Sequence, residues 1–322
     1  MSVSWRRMPS ISMTPDAPAE VDIWQVLASL HQPIAIVAHD AGSANLIAAW
    51  FAEYPTSAVR GLFAGPAAAI FRKSCSWMDD GNLGNGAPAY RTIISGTGWS
   101  STLEHDAREF ARARGIRSIA VLDHWTNYRA RFSRRGREIL PDEIWVVDEY
   151  ACELARSTFP DIPVIQLRNV YLENLVREVR KHEKQRTAAA GRNVLYTLEP
   201  IRDTWGTGQR PGEFQALDYF VAHLDLLRIG QGTTVRLRPH PSDPEGKYDS
   251  WLASHRDLNI GLDKSPTLAA GIAWSDVVVG CQTYAMVIAL SCGKRVISSI
   301  PAWAPPCVLP QTGIQRLAQI AS

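Results

Sequence analysis

Four short stretches of this chain gather imidazole, carboxylate, guanidinium and hydroxyl groups at spacings suited to acid–base and phosphate chemistry. The first is His39-Asp40-Ala41-Gly42-Ser43. A carboxylate or imidazole at His39 or Asp40 can take a proton from an attacking hydroxyl, Gly42 permits a tight turn, and Ser43 or Asn45 can cap the helix that follows. The competing role for Asp40 is to hold that turn through bonds to the backbone. The second is Gly96-Thr97-Gly98-Trp99-Ser100-Ser101, a glycine loop ahead of a helix that carries Glu104. Ser101 stands where a dinucleotide fingerprint needs its last glycine, so no dinucleotide cofactor is expected.

The third stretch, Asp123-His124-Trp125-Thr126-Asn127-Tyr128-Arg129, packs acid, imidazole, rings and base onto one loop. It reads either as substrate recognition, with Asp123 and His124 beside the chemistry and Trp125 and Asn127 on the substrate, or as interdomain packing with Asp123 paired to Arg129 or Arg131. The fourth is split. Arg236, Arg238 and His240 alternate along one strand face, and about forty residues on Gly280-Cys281-Gln282-Thr283 opens a helix. Guanidiniums, an imidazole, backbone N–H groups and the Thr283 hydroxyl can together hold a diphosphate, although Thr283 also suits a plain N-cap. No ligand spacing links His39, Asp40, Asp123 and His124, so no protein-bound metal is expected. Asp79-Asp80-Gly81 reads as a solvated turn.

These groups need a scaffold that puts loops where strands end. From Pro33 onward, apolar runs alternate with amphipathic ones: strands at 34–38, 58–63, 92–94, 118–122, 144–147 and 163–167, with helices between them. The strands are apolar throughout, which predicts a parallel sheet covered on both faces. A charged helical stretch at 173–186 and a hinge at Thr187 to Gly191 follow. The alternation then restarts with strands at 193–198, 233–238, 258–262, 276–280 and 294–298, and with helices at 213–228, 245–254 and 267–274 among them. The expected organisation is a tail at 1–20 and two α/β domains, at 21–186 and 187–322, with the site in the cleft between them.

Composition narrows the class. A hydrophobic share of 46%, a charged share of 20% and a net charge of +2 describe a globular protein with no overall nucleic-acid footprint. Five scattered cysteines form no C-x-x-C pair, which suits a reducing cytoplasm and argues against a zinc knot or disulfide framework. No run is long and apolar enough to span a bilayer, and Pro, Ser and Asp follow Arg6 and Arg7 where a signal peptide needs an apolar core. The expected location is the cytoplasm, with peripheral contact at the inner face of the membrane.

The second half resembles the C-terminal domain of GT-B glycosyltransferases, with most similarity to bacterial capsule, sialyl- and polysialyltransferase-like enzymes. His240-Pro241 after one strand and Thr283 at a later helix start carry the resemblance. The first half also looks like uncharacterised proteins of surface-polysaccharide gene sets. The resemblance implies a fold of two Rossmann-like parallel-sheet domains facing a cleft, a donor phosphate held at the two motifs, and an acidic base from the first domain, here Asp40 or His39. Two departures stand out. The helix at Tyr284 to Leu290 lacks the acid that binds ribose in many relatives, and a doubled-carboxylate base motif is missing.

The resulting expectation is a metal-independent, sugar-nucleotide-dependent glycosyltransferase of polysaccharide or glycoconjugate biosynthesis. It needs no cofactor beyond the nucleotide sugar and acts on a glycan or lipid-linked acceptor. Its rivals are a hydrolase, 2-epimerase or glycerophosphotransferase of the same architecture, and a non-catalytic nucleotide-sugar-binding protein.

Overall fold

The computed structural model describes residues 21–84, 86–184, 193–201, 204–206, 210–227 and 232–321. The expected tail at 1–20 and the hinge at 187–191 lie outside them. A short helix, α1 (Ile23–Ala28), precedes β1 (Ile34–Ala38), α2 (Ala41–Ala52), β2 (Val59–Phe63), α3 (Gly65–Ser74), β3 (Asp79–Asp80) and β4 (Thr92–Ser95). Then come α4 (Leu103–Arg114), β5 (Arg117–Val121), α5 (Tyr128–Phe132), a small hairpin of β6 (Ser133–Arg134) and β7 (Arg137–Glu138), β8 (Glu143–Val146), α6 (Glu149–Thr158) and β9 (Val164–Gln166). Outside the hairpin, these strands form one parallel sheet in the order β3-β2-β1-β4-β5-β8-β9.

Helix α7 (Val170–Glu183) leads to the second sheet, built from β10 (Asn193–Thr197), α8 (Gly212–Ala222), β11 (Thr234–Arg238), α9 (Asp249–Ala253), β12 (Ile260–Leu262), α10 (Leu268–Trp274), β13 (Val277–Gly280), α11 (Tyr284–Ser291), β14 (Arg295–Ser298), β15 (Ile314–Arg316) and α12 (Leu317–Ile320). Its order is β12-β11-β10-β13-β14-β15, again all parallel. The expected pair of parallel-sheet α/β units is therefore what the chain forms. In each sheet the strand order reverses beside the first strand, between β1 and β4 and between β10 and β13. Ligands of open α/β sheets bind at such switch points, outside the carboxyl ends of the strands.

The apolar strands are continuous because both sheet faces are covered. Ile34, Ile36 and Ala38 pack under α1, α2 and α3, whereas Ala35, Val37 and Ile93 pack under Ala107 and Ala111 of α4. One face of the second sheet, with Val194, Tyr196, Val235, Leu237 and Val279, packs on Leu217 and Phe220 of α8. Its other face joins a core shared by both sheets, in which Leu195, Val278, Ile272 and Met286 meet Leu122, Trp125, Phe132 and Val179. Helix α7 packs against α2 on one side and against α10 and α11 on the other. Its charged residues face outward, and Glu183 pairs with Lys294 at 2.6 Å.

Some local expectations are corrected. Asp79 and Asp80 are a two-residue edge strand on β2, exposed, with Asp79 paired to Arg60 at 3.1 Å, rather than a free turn. The helix expected at 245–254 shrinks to α9 because Gly246, at φ 74°, turns the chain through the left-handed region. α8 stops at Ala222 and gives way to a 3-10 turn at Leu224–Leu227. The hairpin, α5, β15 and α12 were beyond the hydrophobic pattern, being too short to show a period.

Candidate functional site

At the switch point of the first sheet, β1 ends in His39 and Asp40. Asp40 holds the N-cap position of α2, yet its side chain does not cap the helix. One carboxylate oxygen instead lies 2.6 Å from His39 Nδ1, and the other accepts the N–H of Trp99 at 3.2 Å. With Nδ1–H donating to Asp40, the lone pair of His39 Nε2 is left free, an arrangement suited to a base oriented by its neighbouring acid. The two side chains are 21% and 25% exposed, so both are open to solvent.

Glycines make room for these groups. A Cβ on Gly65 would come within 2.7 Å of His39 Nε2, and one on Gly98 within 2.9 Å of the Asp40 Cβ, overlapping its carboxylate. One on Gly42 would overlap Asp123 Oδ2 and lie 2.7 Å from its carboxyl carbon. Gly42 is thus glycine for want of space beside Asp123; its φ is not positive. Gly96 faces Ser43 and Glu104 in the same way, and a Cβ there would stand 3.1 Å from Glu104 Oε1. The four stretches' first-domain residues His39, Asp40, Gly42, Ser43, Gly96, Gly98 and Asp123 are brought together.

Under the pair lies a carboxylate that sequence reading passed over. Glu104 is fully buried and accepts the His39 N–H at 2.8 Å, while its other oxygen and the buried Ser43 hydroxyl have no hydrogen-bond partner among the described residues. Burial pushes the Glu104 carboxyl above its ordinary range; the His39 N–H and Arg108 oppose this, and the negative Asp40 adds to it. Ser43, expected as a possible cap, is instead part of this buried layer.

The glycine loop is clamped from below. Arg108 donates to the carbonyl of Gly96 at 2.9 Å, Arg131 to that of Thr97 at 3.3 Å, and Arg134 to that of Gly98 at 2.7 Å. The Thr97 hydroxyl is buried and donates to the Val121 carbonyl at 3.0 Å, so it serves the fold and faces no substrate.

The loop after β5 divides between the two roles expected of it. Asp123 pairs with the buried Arg131 at 3.1 Å, so its charge is committed. Burial lowers the His124 pKa, with Arg131 assisting and Asp123 opposing, and Thr126 Oγ1 lies 3.2 Å from its Nδ1. Trp125 is buried, donates to both Asp148 oxygens at 3.0 Å, and stacks on Tyr284 of α11 at 6.4 Å between centroids. Tyr284 is flanked on its other side by Tyr171 at 6.3 Å and accepts from Asn169 at 3.4 Å. Trp125 is thus a packing residue between the two sheets, and its contact joins the loop after β5 to the start of α11. Asn127 is exposed, with φ 60°, at the start of α5.

In the second sheet, Thr283 caps α11, accepting the Ala285 N–H at 3.4 Å. The Gln282 side chain accepts the Val308 N–H at 3.3 Å, while the backbone N–H of Gln282 donates to Glu199 at 2.8 Å. Glu199 lies two residues past the end of β10, on the loop at that strand's carboxyl end. Burial pushes its carboxyl up to about 7, the Gln282 N–H opposing and the negative Glu213 assisting.

The basic pair on β11 is not free. Arg238 meets the fully buried carboxylate of Asp263 at 2.6 Å, and Arg236 lies 4.0 Å from the same group and 3.8 Å from the Trp274 ring centre. His240 Nδ1 accepts the Ser242 N–H at 3.2 Å, which places the proton of the neutral ring on Nε2 and makes that nitrogen a donor. Asp243 accepts the His240 N–H at 3.1 Å, Lys247 at 2.7 Å and Tyr248 at 3.0 Å, and Lys247 reaches Glu213 at 2.7 Å. Burial alone would raise the Asp243 carboxyl, but these donors outweigh it and hold it below its usual range.

Two parallel sheets of this strand order, joined through a shared core, define a GT-B-like fold. Among solved structures the chain is similar to UDP-GlcNAc 2-epimerase from Neisseria meningitidis bound to UDP-GlcNAc, with a TM-score of 0.55 and 13% identity over 82% of each chain. It is likewise similar to a Listeria monocytogenes protein described as a UDP-N-acetylglucosamine 2-epimerase, with a TM-score of 0.55 and 11% identity over 83% of this chain and 79% of that one. At such identities the likeness is one of fold. No protein-family model matches the sequence, and no curated protein matches it significantly.

Proposed function

We propose that the chain is an enzyme acting on a sugar nucleotide, and specifically a glycosyltransferase of polysaccharide or glycoconjugate biosynthesis. The observation that carries this reading is the His39–Asp40 pair. It is an imidazole with one nitrogen fixed by a carboxylate and the other free, held at the switch point of the first sheet. His39 Nε2 takes the proton of the acceptor hydroxyl; Asp40 orients the ring and stabilises the cation that forms. The donor phosphate sits beyond the ends of β11 and β13, where Thr283 and the Nε2–H of His240 supply donors. Arg238, already neutralised by Asp263, shapes that region more than it charges it.

The reading extends to the division of labour along the chain, with residues 21–186 on the acceptor side and 187–322 on the donor side. A glycan or lipid-linked acceptor implies work at the inner face of the membrane. No helix among the described residues is long and apolar enough to cross one. A second reading, a hydrolase or 2-epimerase of sugar nucleotides, draws support from the two 2-epimerases among the structural neighbours.

The deciding experiment incubates the protein with UDP-, CDP-, GDP- and CMP-sugars with and without glycan acceptors, and follows products by mass spectrometry. A transferase consumes donor only when acceptor is present. Consumption of donor alone selects the second reading, and turnover of none with intact binding selects a non-catalytic binding protein. Titration of nucleotides against wild type and His240→Ala tests the donor site, because equal affinities would remove it.

A further inference from the structure

Resting on the donor site just proposed, we infer that Glu199 is a catalytic acid of the second domain, delivering a proton to the phosphate oxygen that leaves the sugar. The position comes first. Glu199 stands two residues past the end of β10, and one carboxylate oxygen is fixed by the backbone N–H of Gln282 at 2.8 Å, just ahead of the Thr283 cap of α11. That N–H belongs to the group of donors a phosphate would seek at this helix start. The other oxygen has no hydrogen-bond partner among the described residues, so one end of the acid is anchored and the other is available.

The surroundings keep a proton on it. Glu213 of α8 brings negative charge, and the buried Tyr196 of β10 and the thiols of Cys281 and Cys307 also lie near it. None of these is a cation. Lys247, which pairs with Glu213, is divided between that residue and Asp243 at 2.7 Å each. Arg238 is likewise matched by Asp263. Charge developing on a leaving phosphate near β10 and α11 therefore meets cations that already have carboxylate partners, and an acid proton is a local means of neutralising it. A carboxyl raised to about 7 is matched to that task near neutral pH.

The step balances. The bond between the sugar's anomeric carbon and the phosphate oxygen breaks, and its electron pair stays on that oxygen, which takes the Glu199 proton. The acceptor oxygen forms the new bond to the anomeric carbon and yields its proton to His39 Nε2. Glu199 finishes as carboxylate and His39 as imidazolium, and solvent returns both to their starting states.

The test is Glu199→Gln, whose amide oxygen can still accept the Gln282 N–H. Calorimetric titration with UDP, CDP and CMP in buffers of different ionisation enthalpy counts protons taken up on binding. Wild type is expected to take up more protons than the variant between pH 7 and 8, because phosphate beside Glu199 strengthens its hold on the proton; protonation of the nucleotide itself is common to both and cancels. Turnover of the sugar nucleotide is expected to fall by roughly 100-fold in the variant, and the wild-type loss of kcat/KM above about pH 7 is expected to flatten. Equal proton uptake and the same kcat/KM–pH profile in both proteins would overturn the assignment of Glu199. Failure of every nucleotide to bind wild type would instead remove the donor site on which it rests.

Discussion

Gly42→Ala is the sharpest test of the geometry because it adds one methyl group at the crowded centre of the candidate site. The new Cβ would overlap Asp123 Oδ2 and approach its carboxyl carbon to 2.7 Å, so Asp123 must move. Moving it loosens the 3.1 Å pair with Arg131, whose side chain is only 7% exposed. Overpacking costs about 1–3 kcal/mol, and breaking a buried pair outright about 3–5 kcal/mol. Arg131 keeps the carbonyls of Thr126 and Thr97, so the lower part of that range applies. Alanine in place of glycine in α2 returns at most about 1 kcal/mol of helix propensity. The expected net loss is about 1–3 kcal/mol, read from urea denaturation followed by circular dichroism. The cycle with Asp123→Ala isolates the cause. In that background the methyl meets only the Cβ of position 123, 3.3 Å away, and Gly42→Ala is expected to lose most of its penalty. An equal penalty in both backgrounds would show that the glycine is needed for some other reason.

Four further outcomes follow from the site and its supports. Asp40→Asn, which lets the His39 ring take the wrong tautomer, is expected to lower kcat by roughly 100- to 10,000-fold with little change in nucleotide affinity. Glu199→Gln should stabilise the fold relative to wild type as pH rises. The raised carboxyl contributes stability that is complete below its unfolded pKa near 4.5 and lost as pH passes about 7, so the melting difference should widen across that window. Lys247→Met takes the ammonium from the buried Asp243 and is expected to cost about 3–5 kcal/mol, with partial recovery in acid as that carboxylate protonates. Tyr284→Ala removes the ring between Trp125 and Tyr171; a loss of about 3 kcal/mol and faster proteolysis between the two sheets are expected, and unchanged proteolysis would dissociate this ring from the domain interface.

Much of this fold was legible because the apolar strands are unbroken and their helices are long enough to show a period. Ile34 to Ala38 and Asp276 to Gly280 gave themselves away as strands covered on both faces, and the loops that follow them were correctly expected to carry His39, Asp40 and Thr283. The partners of those residues were less visible. Asp263 lies 25 residues from Arg238, and Arg131 reaches back 34 residues to the Thr97 carbonyl. Pairing over such separations is decided by register between strands, which composition does not encode. Glu104 and Glu199 were hidden for a different reason: one sits on a helix that reads as charged and exposed, and the other is a single acid after an ordinary apolar run. Only burial gives either of them unusual chemistry.

The arginine clamp under Gly96, Thr97 and Gly98 bears on how quickly a substrate could be received. A glycine-containing loop in isolation samples many backbone states, and ordering it costs entropy that a ligand must otherwise supply on arrival. Here Arg108, Arg131 and Arg134 hold each carbonyl in turn, so that ordering is completed during folding. Trp99, exposed at 49% and tied through its N–H to Asp40, is consequently presented on a stationary mount. A ligand docking against it meets a surface already in its final shape, and the kinetics of capture should reflect diffusion and fit rather than the closing of a loop.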